Sequence, residues 1–385
     1  MEIKQQSPRH YVGVILLCMA INAAIFFQSL SVFFIPDAIL LAYLIYKFKD
    51  LNQEVSPLFF AGLALMLGYY FFSPEPSDID FRNKFIVSLK PFAYISILAL
   101  YSRNAPFKSL YGFIKGVVIC YPILLVWNIA LYYSRHRPPL SRIVGDARPF
   151  FMFENNFEIT FYISCFIALV FIYKDKDIKN YLYLALVILL ANSRSGLLSF
   201  AVISPFYFLT LDYKKRWVAI GLAVVAAGWV GMSRNITQIA GNVDRLQTFN
   251  LMWQSYESSF TQLLSFPFGH GIYLKVPTYL CIKLPEFAEW FVGNANNCDP
   301  MMLQAFYTRS LFQFGFYITL LIPILFFLLI RRETGTKLAL LIIAPVFCVA
   351  TSVGGFSNGL AFLGMLLCIY SYVQLQRSKQ LNKLS

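Results

Sequence analysis

Tyr181 to Leu190 reads YLYLALVILL, and Leu320 to Ile330 reads LLIPILFFLLI. Both runs are apolar on every face. A membrane β-strand alternates apolar and polar side chains, so these runs exclude a barrel and predict helices surrounded by apolar neighbours or lipid. Similar segments recur outward from them, at 11–30, 32–47, 57–73, 85–102, 110–133, 157–173, 180–192, 195–211, 217–232, 303–330, 338–353 and 357–376. The expectation is an all-α, polytopic integral membrane protein of about twelve transmembrane helices. The short pair flanking Ser193 is the weakest part of that pattern.

Composition points the same way. The 385 residues are 58% hydrophobic, 18% aromatic and 13% charged, against about 25% charged residues in soluble proteins. Only the stretch 233–305 is polar over a long distance, so the chain reads as one transmembrane domain, 1–385, with that loop inserted between helices nine and ten. The net charge of +13 gathers at helix ends, where it sets topology, and does not call for nucleic acid as a partner. Tyr11 to Leu30 follows Lys4 and Arg9 without a small-residue cleavage site, and reads as a retained first helix.

With both termini cytoplasmic, the short inner junctions hold Lys47, Lys49, Lys174, Lys176, Lys179, Lys214, Lys215, Arg216, Arg331 and Arg332, as the positive-inside rule expects. The long loop is then extracytoplasmic. Within it, Leu246, Phe249, Trp253, Tyr256, Phe260 and Leu263 recur at spacings of three and four, predicting one amphipathic helix on the bundle or in the membrane interface. A shorter one is expected around 285–291. Cys281 and Cys298 share this oxidising loop, where a disulfide would close about 17 residues, while Cys18, Cys120, Cys165, Cys348 and Cys368 read as packing residues. Asp37, Lys90 and Lys115 are ionisable groups inside predicted helices, a cost of about 2.5–3.5 kcal/mol at the bilayer centre unless paired or wet. Asp37 and Lys90 both lie near outer ends, where they are placed to pair. Small residues in Gly354-Gly355 and Ala226-Ala227-Gly228 are the expected points of close helix packing.

The sequence has no Gly-rich phosphate loop with its Lys, no zinc-ligand spacing and no serine nucleophile elbow, so ATP-driven and zinc chemistry are not expected. What remains is a set of arginines at the predicted outer face. Asn192-Ser193-Arg194-Ser195-Gly196 forms a tight turn there. A guanidinium fork between two hydroxyls suits a phosphate; the same residues also suit an arginine that caps a helix and snorkels to water.

Four features follow one another in order: the Ser193-Arg194-Ser195-Gly196 turn, the Arg245 to Trp253 helix, the Pro267-Phe268-Gly269-His270-Gly271-Ile272 segment, and a helix returning to the membrane at Leu303-Gln304. Together they resemble the O-antigen polymerase and O-antigen ligase family, membrane glycosyltransferases of the C type with a large periplasmic loop. The resemblance implies a glycan carried on undecaprenyl pyrophosphate as substrate, in the bacterial inner membrane, with no cofactor and no metal. It makes Arg194 and Arg245 phosphate-facing and puts His270 in the turn before the site. Arg148 and Arg309 are lesser phosphate candidates, each equally placed to pair with Glu154, Glu158 or Asp146. Membrane lipids and a chain-length regulator are the other partners such an enzyme implies.

Ligases of this family carry His-Asn-x-x-Leu before the returning helix, where this chain has Asp299-Pro300-Met301-Met302-Leu303. The missing histidine favours a polymerase over a ligase. Asp299 reads as a catalytic carboxylate and equally as a helix start, since Asp followed by Pro caps free N–H groups. The chemistry implied is substitution at the anomeric carbon, with a base taking the acceptor proton and positive charge stabilising the departing pyrophosphate. A flippase for the lipid-linked glycan is the rival from another class. Such proteins show repeats and broken helices with charge near the midplane, whereas here charge concentrates at one face.

Overall fold

The computed structural model describes residues 57–72, 89–99, 110–135, 155–191, 193–233, 244–272, 303, 305–351 and 355–384. Among these residues every regular element is helical: α1 (Pro57–Phe72), α2 (Lys90–Ala99), α3 (Tyr111–Arg135), α4 (Asn155–Ile167), α5 (Ile178–Ala191), α6 (Arg194–Phe208), α7 (Tyr213–Ser233), α8 (Asp244–Ser255), α9 (Phe260–Ser265), α10 (Phe306–Thr334), α11 (Thr336–Ala350) and α12 (Gly359–Leu384). Within the described residues each predicted span from residue 57 onward contains a helix, including the short pair at Ser193. The spans 11–30 and 32–47, and with them Cys18 and Asp37, lie outside the described residues. Among the described residues two helices are long and apolar enough to cross a membrane, Phe306–Thr334 and Gly359–Gln380; α1, α5 and α11 and the apolar stretches of α3, α4 and α6 are shorter.

The sequence sets the helix ends. The last turn of α4 widens into a π-helix at Ala168–Ile172, and Lys174, at φ 63°, reverses the chain. Gly335, at φ 80°, is the single residue joining α10 to α11. The long helices pack side by side, α12 along α4, α6 along α11, and α5 between α3 and α7. Where α12 meets α4, a Cβ on Gly364 would lie 2.6 Å from Ser164 Oγ, so only glycine allows the approach. Gly355 fits against Ala350 for the same reason. The expectation for 226–228 is corrected: Ala226 is buried, but Ala227 is exposed and Gly228 faces open space. Cys120, Cys165, Cys348 and Cys368 are buried in the bundle, as packing residues.

Alternating helix directions give the bundle two ends. One holds Ser193, Arg309 and Ser357; the other holds Lys115, Asp175, Asp212 and Arg331. At the second end Lys115 does not stand alone in its helix. Its Nζ lies 2.9 Å from Asp175 Oδ2, and the Tyr111 hydroxyl donates to the same oxygen at 2.9 Å. Burial pushes the Asp175 carboxyl up, but the hydrogen bonds from Lys115 and Tyr111 outweigh it and leave it below the ordinary carboxylate range. Its stabilising effect is therefore full above an unfolded pKa of about 3.9 and is lost as pH falls through the lower folded value.

Asp175→Asn should lower stability by about 1–2 kcal/mol at pH 7, a value kept small because both partners are partly exposed to solvent. Thermal unfolding in detergent checks this: the gap from the unmodified protein should close as pH drops below about 4, and a gap independent of pH would contradict the pairing.

Candidate functional site

The site is organised by a break in α10. Gly315 has φ 76° and ψ 179°, a region open to glycine alone, and it divides the helix into Phe306–Phe314 and a second half from Phe316. A helix end leaves its last four carbonyls without intrahelical donors. At this end Leu311, Phe312, Gln313 and Phe314 each accept a hydrogen bond from outside the helix. The Tyr256 hydroxyl donates to Leu311 O at 2.9 Å, His270 N–H to Phe312 O at 2.9 Å, Gly271 N–H to Gln313 O at 3.0 Å, and the Tyr69 hydroxyl to Phe314 O at 3.1 Å. The loop segment Pro267 to Ile272 is thus clasped onto the break.

Two glycines make the clasp close. A Cβ on Gly315 would lie 2.5 Å from Gly269 N, and a Cβ on Gly269 would meet Gly315 N in turn. Gly269, at φ 67°, closes a turn by donating its N–H to Phe266 O at 3.0 Å. Aromatic rings lock both sides. Tyr69 on α1 stacks on Phe92 of α2, and both meet Phe314 edge-on, with centroids 4.8 to 5.7 Å apart. His270 lies on the Tyr256 ring at 4.8 Å, with Phe266 and Phe312 beside it. Burial holds the imidazole below its ordinary pKa, so it is neutral at pH 7, and its buried Nε2 has no hydrogen-bond partner in the structure.

The amphipathic prediction for 246–263 needs correcting. The chain turns at Glu257 and Ser258, both at φ 53°, and makes two helices, α8 and α9. Both dock on α10; Met252, Tyr256 and Leu263 are buried, whereas Phe249 and Phe260 are exposed, Phe260 touching Phe316 edge-on. The left-handed pair rotates α9 out of the register that a continuous helix would keep.

At the same end of the bundle, Ser193 is the N-cap of α6, its hydroxyl accepting from Gly196 N–H at 3.2 Å. The Ser193 and Ser195 hydroxyls lie 3.2 Å apart, and both residues are buried. Gly196 packs against Ile159, next to Glu158 of α4, whose carboxylate accepts from the Tyr121 hydroxyl at 2.9 Å. Arg309, in the first turn of α10, is buried and donates from Nη2 to Ser357 Oγ at 3.1 Å. Taking a guanidinium out of water is costly unless such partners hold it.

The structure therefore gathers Ser193, Ser195, Arg309 and the His270 segment at one end. Arg194 is the first residue of α6 and Arg245 the second of α8, their side chains lying outside the described residues, as do Asp299, Arg148, Cys281 and Cys298. Sequence reasoning placed Tyr256 on an apolar face and overlooked its hydroxyl, and it missed Tyr69 altogether. The available signal was a glycine inside the long apolar run of α10 together with the closely spaced glycines of Phe268-Gly269-His270-Gly271.

Gly335 provides an internal control for the clasp, because it shares the glycine-only backbone but has nothing within reach of a Cβ. Gly335→Ala should cost about 1–3 kcal/mol from backbone strain alone. Gly315→Ala adds collision with the backbone of Gly269 and Pro267, and its loss in thermal unfolding should be at least twice as large; equal losses would contradict the close packing.

Compared with known proteins, the chain matches no family model, no curated protein and no solved structure.

Proposed function

We propose that the chain is a polytopic inner-membrane glycosyltransferase of about twelve spans, an O-antigen polymerase that joins undecaprenyl-pyrophosphate-linked repeat units on the periplasmic face. The observation that supports it best is the convergence at one end of the bundle. The loop segment carrying His270 is clasped to α10 at the end that also holds Arg309 and the Ser193-Arg194-Ser195 turn. Exposed apolar side chains along the helices, among them Val224, Ile324 and Phe347, favour a lipid surround, since such surfaces are uncommon in water.

In this reading Arg194 and Arg245 hold the pyrophosphate, with Arg309 and Arg148 as lesser contributors of positive charge. The N-terminus of α6, capped by Ser193, adds its free N–H groups to the same anion. Asp299 is the base that takes the acceptor proton, and the neutral His270 is the alternative base. Pyrophosphate is a good leaving group, so positioning and charge stabilisation carry most of the work. A ligase would share all of this; Asp299 in place of histidine favours the polymerase.

The break in α10 is a feature that transporters also use, and it bears on the flippase reading. In transporters the unwound carbonyls coordinate ions or substrate. Here all four freed carbonyls are occupied by protein donors, which favours a docked loop over a transport path.

Arg194→Ala tests the reading in a strain whose own copy of the gene is deleted. With membrane abundance unchanged, lipopolysaccharide should run on a gel as core bearing a single repeat unit. Full retention of the long-chain ladder would contradict the proposed site, and bare core with long glycan left on the carrier would make the enzyme a ligase.

A further inference from the structure

Tyr317, Leu320, Ile324 and Leu328 stand exposed at helical spacing, forming one apolar face along the second half of α10. The face does not stop at the break. Phe260 of α9 meets Phe316 edge-on at 5.7 Å, and beyond it Phe260 is 54% exposed, Phe266 42% and Phe268 66%. No charged residue occurs between Ser258 and Phe268 in the sequence.

The depth of this patch follows from helix geometry. Arg331 and Arg332 end the apolar run of α10. Counting back about fifteen residues at ~1.5 Å each puts Gly315 roughly 22 Å from that boundary. A hydrocarbon core is about 30 Å thick, so the Gly269–Gly315 contact lies several ångströms beneath the opposite surface, within the range of about 5–10 Å that interfacial segments reach. Irregular backbone is tolerated at such depth only when protein satisfies its polar groups. The four donors onto Leu311, Phe312, Gln313 and Phe314 meet that condition for the helix, as does the Tyr69 hydroxyl, which also donates to Phe268 O at 3.2 Å.

We propose that α9 and the turn Phe266 to Gly269 dip into the outer leaflet, with Phe260, Phe266 and Phe268 covered by lipid acyl chains. This rests on reading α10 as a membrane-spanning helix. Lipid is the occupant because the aromatic side chains continue the exposed apolar face of that helix and lie at the depth of its acyl-chain surround.

A small fluorescent amino acid placed at position 268, and separately at 260, tests the dip in the full chain reconstituted into vesicles. References sit at 328 on the same face of α10 and at 257 in the exposed turn. Lipids brominated in the acyl chain should quench 268, 260 and 328 several-fold more than aqueous iodide does, with the reverse order at 257. Quenching of 268 and 260 by iodide, or by neither agent, while 328 responds to brominated lipid overturns the dip and leaves the membrane span standing. Failure of brominated lipid at 328 as well overturns the span and the dip together.

Discussion

A helix that stops inside an apolar bundle must place four carbonyls, and no water is at hand to take them. In this chain that requirement falls on Leu311 to Phe314, and three separate regions answer it: α1 through Tyr69, the end of α8 through Tyr256, and the loop through the backbone of His270 and Gly271. The break and the docked loop are therefore one object. Removing the loop would take the backbone donors from Phe312 and Gln313, and closing the break would leave the loop without its acceptors. Gly269 and Gly315 follow from the same constraint, since two backbones approach here with no room for a Cβ.

The clasp also determines the environment of His270. Its backbone N–H is spent on Phe312, while its ring is held between Tyr256 and Phe312 and kept neutral by burial. On the proposed function, this gives a rigid wall at the mouth of the site, with the arginine-bearing turn of α6 and the start of α10 at the same end. The opposite end is tied differently, by Lys115, Asp175 and Tyr111 around one carboxylate oxygen. One end relies on backbone carbonyls and aromatic rings, the other on a charge pair open to solvent.

Much of the helical frame was legible in the sequence. Apolar runs place the described helices other than α8 and α9 to within about a turn, because burial or lipid demands that pattern locally. Periodicity failed where a backbone reversal intervened: Phe260 fits the helical spacing of Phe249 and Trp253, but the left-handed pair Glu257 and Ser258 resets the phase. Small residues were an uncertain guide for a similar reason. Gly355 and Gly364 meet a neighbour, and Gly228 does not, a difference decided by partners far away in sequence. The break at Gly315 was hidden because nothing in the adjoining residues marks it, and its cause lies about forty residues upstream. For the candidate site, Ser193, Ser195, His270 and Arg309 were singled out by residue type, but the commitment of the Ser193 hydroxyl to the cap of α6 depended on the local fold.

Residue-resolved amide hydrogen exchange across 266–272, with the protein in lipid nanodiscs, tests the clasp most directly. The His270 and Gly271 amides should exchange as slowly as those of the second half of α10, because both are hydrogen-bonded to its first half. Exchange as fast as in the exposed turn at Glu257 and Ser258 would mean that the loop is not docked, and the account of the broken helix would fail with it.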